Sequence, residues 1–129
     1  MNSDETFRKA SAKFSRSYMS NTKWRKFFAI LRELHLDFPH ALWKFIDSPK
    51  VFDTWGLSGR QLGDYDGWTA DGATPPVEYR FIEWIKVVSE PKNLQPDPQV
   101  TRLCEELLEQ GKFETELAID SFAIYGYRP

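Results

Sequence analysis

Glu83 is the residue whose surroundings come nearest to a chemical task. In the run from Val77 to Val88, the residues Val77, Tyr79, Phe81, Ile85 and Val87 share one parity of an extended strand, and Glu83 falls among them. Either a bulge near Phe81 or Ile82 shifts the register, or Glu83 is a partly buried carboxylate that needs a donor. A carboxyl group against an apolar wall holds its proton longer than a solvated one and can act as a general acid. Glu83 with Asp66, or with a histidine such as His40, is therefore the candidate catalytic pair of a small hydrolase, glycosidic cleavage being the reaction two carboxylates would serve. His35 and His40 lie five apart across Pro39, a spacing that matches no helix-borne pair of zinc ligands, and neither has an identifiable nucleophile beside it in sequence. They read as helix-end or surface residues.

The second place to look is the stretch from Gly56 to Pro76, which carries Asp64, Asp66 and Asp71 around Trp68 and is punctuated by Gly56, Gly59, Gly63, Gly67 and Gly72. A calcium loop starting at Asp64 would need its third acid at position 68, its glycine at 69 and a glutamate at 75, where this chain has Trp68, Thr69 and Pro75. The aspartate oxygens would suit magnesium or manganese. A solvated turn or a partner-facing loop explains them more simply, so neither a metal nor a cofactor is called for. Gly56-Leu57-Ser58-Gly59 lacks the spacing of a nucleophile elbow, and Gly59 and Gly63 are not followed by the lysine and hydroxyl of a phosphate loop. Cys104 falls on an apolar helical stripe and reads as a small core residue.

These groups must be positioned by a short series of elements. Asn21 or Thr22 can cap a helix whose one face carries Trp24, Phe27, Phe28, Leu31 and Leu34. Ala41 to Ile46 reads as a strand, Val51 to Trp55 as a second apolar patch, and Val77 to Val88 as the central strand. Asp97 before Pro98 is a strong helix start, Val100, Leu103, Cys104, Leu107 and Leu108 form the buried stripe, and Gly111 ends the helix. Thr115 to Tyr127 reads as a hairpin turning at Asp120-Ser121. The order predicts an α+β fold, a mixed or mainly antiparallel sheet with two or three helices packed on one face. Residues 1–20 are a basic amino-terminal arm or docked helix, with Phe7, Phe14 and Tyr18 as possible docking rings, and residues 21–129 form a single domain.

Residues 1–32 hold eight Lys or Arg against two acids, a net +6, and the remainder holds nine against seventeen, a net −8. Nucleic acid is attracted by the first part and repelled by the second. Lys23, Arg25 and Lys26 form a basic surface on the first long helix, but Trp24 and Phe27 are needed in the core, which leaves the cations without exposed rings for base stacking. The sequence has a single cysteine, basic residues break every apolar run near the amino terminus, and no stretch is long and apolar enough to cross a bilayer. A cytoplasmic protein without membrane insertion is the expectation.

Three segments resemble a family of small bacterial cytoplasmic domains with no assigned activity: Asn21-Thr22-Lys23-Trp24-Arg25, then Tyr79-Arg80 with Ile82-Glu83-Trp84-Ile85, then Ile124-Tyr125-Gly126-Tyr127. The order of elements also resembles toxin-immunity proteins at the level of fold. The resemblance directs attention to Trp24, Glu83, Trp84 and Tyr127 without giving any of them a role. The leading expectation is a protein-binding or inhibitory, immunity-like domain. Asp64, Asp66, Trp68, Asp71, Trp55 and Tyr127 are its candidate contact residues, since aromatic side chains are favoured interface anchors. A homodimer is the other partner arrangement left open.

Overall fold

A computed structural model describes residues 3–53, 55–58, 68–69, 77–89 and 97–128, the backbone alone at 68–69. Helix α1 (Ser3–Ser11) sets Phe7 edge-on to Phe81 at 5.9 Å, while the Arg80 guanidinium lies 4.8 Å from the Phe7 ring and bonds Asp4 at 2.8 Å. Helix α2 (Asn21–Glu33) buries Trp24, Phe27, Phe28, Ile30 and Leu31 on the expected face. Its cap is Ser20, one residue ahead of the expected Asn21 or Thr22, with the Ser20 hydroxyl accepting from the Lys23 amide at 3.2 Å.

At its far end the Leu36 amide returns to the Leu31 carbonyl and the His35 amide to that of Arg32, with His35 at φ 53°. This is a Schellman closure with histidine in the left-handed position that glycine usually takes. His35 is thus a helix-end residue, as its place before Pro39 suggests.

Strands β1 (Arg16–Ser17), β2 (Asp37–Phe38), β3 (Ala41–Phe45), β4 (Val51–Phe52), β5 (Leu57–Ser58), β6 (Trp68–Thr69) and β7 (Val77–Glu78) come next in chain order, apart from α2 between the first two. After a 3-10 turn at Tyr79–Phe81 come β8 (Ile82–Val88), helix α3 (Pro98–Gln110), β9 (Thr115–Ala118), β10 (Ser121–Tyr125) and β11 (Tyr127–Arg128). The main sheet is antiparallel in the order β4-β3-β8-β10-β9, which with three helices makes the fold α+β. Its inner face carries Ala41, Trp43, Phe45, Ile85, Val87, Phe122 and Ile124, all buried. Phe28 of α2 lies parallel to Trp43 at 6.2 Å, and α3 contributes Val100, Leu103 and Leu107.

The expected single strand from Val77 to Val88 is broken. The 3-10 turn buries both Tyr79 and Phe81, and pairing resumes at Ile82. Opposite β3 the register shifts between Lys44, paired with Trp84, and Phe45, paired with Ile82, so Glu83 is the extra residue of a bulge. The parity conflict in the sequence is therefore answered both ways, since the bulged residue is also the partly buried carboxylate.

Gly56 to Pro76 contains more pairing than its composition suggests. β5 pairs with β2 and β6 with β7. Gly56 has φ 66°, and a Cβ there would lie 3.2 Å from the Phe38 carbonyl oxygen, so only glycine fits the turn. The Gly56 carbonyl accepts from the Trp43 indole N–H at 2.9 Å.

Candidate functional site

The three segments carrying Trp24, Glu83 and Tyr127 meet at one point. The Gly126 amide donates to the Glu83 carbonyl at 2.7 Å, and the Gly126 carbonyl accepts from the Tyr18 amide at 2.9 Å. A Cβ at Gly126 would run into the Ile82 carbonyl oxygen and lie 3.2 Å from the Trp24 ring. The Tyr127 hydroxyl donates to the Arg80 carbonyl at 2.7 Å. Burial raises the Tyr127 phenol above its ordinary pKa, partly opposed by the Arg80 charge.

Lys44 Nζ reaches Glu83 Oε1 at 3.1 Å and the Phe45 carbonyl at 2.7 Å, with the Lys44 and Glu83 side chains 15% and 17% exposed. The ammonium supplies the donor that a half-buried carboxylate requires. Glu83 is thus held in an ion pair, and His40 does not join it. The His40 carbonyl accepts from the Val88 amide, five residues further along β8, which at about 3.3 Å per residue puts it about 16 Å away. His35 is exposed at the end of α2.

Among the expected contact residues, Tyr127 is 8% exposed and offers no ring to a partner, because its side chain closes the junction. Trp55 is half-buried, stacked on Phe52 at 4.7 Å. Asp64, Asp66 and Asp71 lie outside the described residues, as does the side chain of Trp68. On the basic helix Lys23 is taken up by the fold: its Nζ donates to the Tyr18 carbonyl at 3.2 Å and the Lys112 carbonyl at 2.7 Å. Arg25 is half-buried and Lys26 exposed, while Trp24 and Phe27 are buried, as the spacing predicts.

A different surface has the properties of a contact site. Between α3 and the β9–β10 hairpin runs a groove of roughly 220 Å³, with Leu107 and Phe122 on its floor, Cys104 and Phe113 in its walls, and Leu108 and Leu117 at its rim. Asp97 caps α3 through the Gln99 amide at 2.8 Å and also accepts from the Ser89 hydroxyl at 2.7 Å. Ser89 in turn donates its amide to the Asp120 carbonyl, so one carboxylate ties the helix start to the hairpin tip.

Leu108 is 83% exposed and Leu117 55%. The expected buried stripe includes Leu108, but it ends at Leu107: the next residue lies about 100° further round the helix, and Leu108 turns away from the core. Exposed Glu105 and Glu109 flank Leu108, and residues 97–128 carry seven acids against three bases, a net −4. Burial, followed by the Glu105 charge, raises the Cys104 thiol above its ordinary pKa, so it stays protonated at neutral pH. A wider hollow of roughly 400 Å³ between α1 and the Ile46–Pro49 turn is lined by Lys9, Lys13 and Asp47.

Composition gave no signal for the groove. Its rim leucines are ordinary residues, and only their exposure beside an apolar floor distinguishes them. Among the described residues no helix is long and apolar enough to cross a membrane, and no group of three or more His, Cys, Asp or Glu could hold a metal ion.

No curated protein and no solved structure matches the chain. A model for a family of unknown function, DUF6678, matches residues 7–129. That match takes in all three segments joined around Gly126 and both walls of the groove, so the chain belongs to the DUF6678 family.

Proposed function

We propose that this is a protein-binding domain, acting in the cytoplasm, whose contact face is the groove between α3 and β9. The observation that carries the reading is the pair of rim leucines, Leu108 and Leu117, held in water on either side of an apolar groove with acids around them. An exposed leucine on its own is ordinary; two that flank an open apolar floor are not. Covering both would contribute roughly 3–5 kcal/mol, which alone corresponds to about millimolar affinity. A useful complex therefore needs polar contacts as well. The acidic rim favours a partner with a basic face and would speed its approach at low salt. Covering the basic working surface of such a partner is how the domain would inhibit, in the manner of an immunity protein.

The hydrolase reading draws no support from this geometry, since the Lys44–Glu83 pair and His40 are far apart along β8. Its other version, Glu83 with Asp66, falls on a residue outside those described. Nucleic acid is disfavoured at the groove by the same acidic rim.

Site-specific photo-crosslinking in the native cell tests the reading. A photoreactive residue at position 108 is expected to give one dominant protein adduct, weakened by added salt, that the same residue at position 9, beside the basic hollow, does not give. Equal adducts from both positions would overturn the assignment of this face. An adduct of twice the chain mass would assign a homodimer instead.

A further inference from the structure

Resting on that reading of the groove, we infer that β9 accepts an extended segment of the partner as an added strand, and that the segment alternates apolar residues with Lys or Arg. The hydrogen-bond parity of the hairpin points there. Ala118 opposes Ser121 across a two-residue turn, and the Tyr125 amide donates to the Glu114 carbonyl at 2.9 Å. Glu114, Glu116 and Ala118 therefore occupy the hydrogen-bonded positions towards β10. Thr115 and Leu117 then turn their N–H and C=O groups to the outer edge, where β9 is the last strand among the described residues. Edge strands are commonly blunted by brevity, charge, proline or a bulge; β9 is four residues long, and its one charge, Glu116, repels an acidic strand but not a cationic one. β9 reads Thr-Glu-Leu-Ala and pairs with β10 in unbroken register.

A strand laid along this edge presents successive side chains to opposite faces. Those beside Leu117 pass over the groove floor of Leu107 and Phe122 and meet Leu108, so apolar side chains fit them. Those on the other face pass Glu116, which is exposed and accepts from the Tyr125 hydroxyl at 2.9 Å with Arg128 3.8 Å away, and the net charge of −4 over residues 97–128 favours cations. Four backbone hydrogen bonds to Thr115 and Leu117 supply the polar contacts that the two leucines lack.

A second copy of this chain fits less well. Antiparallel pairing of two β9 edges through the outward groups sets Thr115, Glu116 or Leu117 against its own copy. Each arrangement brings two net-negative faces together.

The probe is a synthetic peptide of about seven residues alternating Val and Lys, added to the full chain while amide exchange is followed by NMR. With the peptide at ten times its dissociation constant, exchange at Thr115 and Leu117 is expected to slow about tenfold, with Glu116 and Ala118 unaffected and alkylation of Cys104 suppressed. A peptide with a central proline should lose the effect. Absence of binding, or binding that shifts α3 resonances without protecting Thr115 and Leu117, overturns strand addition. Equal binding of a Val–Glu peptide overturns the basic partner class. Protection that grows with protein concentration in the absence of peptide assigns the edge to a second copy. If the peptide fails while the position-108 adduct persists, strand addition falls and the binding face stands; loss of both removes the binding face itself.

Discussion

The Gly126 junction and the α3–β9 groove differ in how completely their groups are satisfied. At the junction the groups that close it are paired: Glu83 has Lys44, the Glu83 carbonyl has the Gly126 amide, and the Tyr127 hydroxyl has the Arg80 carbonyl, while the Arg80 Nε is buried without a hydrogen-bond partner among the described residues. Around the groove, Leu108 and Leu117 face water and the outer edge of β9 has no paired strand among the described residues. Residues that look chemical by type, a half-buried glutamate and a terminal tyrosine, hold the sheet together. Plain leucines, one on α3 and one on β9, line the proposed contact surface. A carboxylate at an apolar position is as much a sign of a bulge needing a cation as of an acid catalyst.

The sharpest way to break this contrast is Gly126→Ala. The new methyl meets backbone at Ile82 and the Trp24 ring, neither of which is a flexible side-chain end, so a loss of about 3 kcal/mol or more is expected, with a fall in Tm of roughly 10 °C by calorimetry. A fall of only a degree or two would show that the junction is loosely packed.

Lys44→Met should cost about 2 kcal/mol in urea unfolding, because it leaves the Glu83 carboxylate half-buried without its cation. Adding Glu83→Gln should return most of that loss. If the double variant is no better than the single one, the ion pair is not what holds the bulge.

Alkaline pH probes both regions together. The Tyr127 phenol is raised chiefly by burial, the Tyr125 phenol by burial and then its hydrogen bond to Glu116, and the Cys104 thiol by burial and then Glu105. All three groups keep their protons longer when folded, so the stability they contribute is complete below the unfolded values and is lost as pH rises through the folded ones. The urea midpoint should therefore fall above about pH 9, where free thiols and phenols begin to ionise. Tyr127→Phe should flatten part of that fall. A midpoint constant from pH 7 to pH 11 would contradict the assignment.

His35→Gly is the smallest of these changes and runs in the opposite direction. Glycine adopts the left-handed position at the end of α2 without the strain of a side chain, and a gain of up to about 1 kcal/mol is expected as a raised urea midpoint.

Much of the frame could be read from residue pattern. The apolar spacing of α2, the Asp97-Pro98 start of α3 and the carboxy-terminal hairpin all express strong local rules, and the structure follows them except that the hairpin turns at Ile119 and Asp120, one residue ahead of the expected Asp120-Ser121. Two-residue strands such as β2 and β5 are too short to carry a period. The 3-10 turn at Tyr79–Phe81 buries residues of one parity, as a strand would, so the two look alike in sequence. The groove was illegible for another reason: Leu107 and Leu108 are identical in type and adjacent on the helix, and which of two side chains about 100° apart meets the core depends on how α3 is packed.

The most direct test of the contrast is to combine Leu108→Asp with Leu117→Asp and measure folding and partner retention in the same sample. Exposed positions away from the junction should tolerate both changes with stability altered by no more than about 1 kcal/mol, while the partner crosslinked from position 108 in the wild-type chain is lost on co-purification. Full retention of that partner at unchanged Tm would contradict the account.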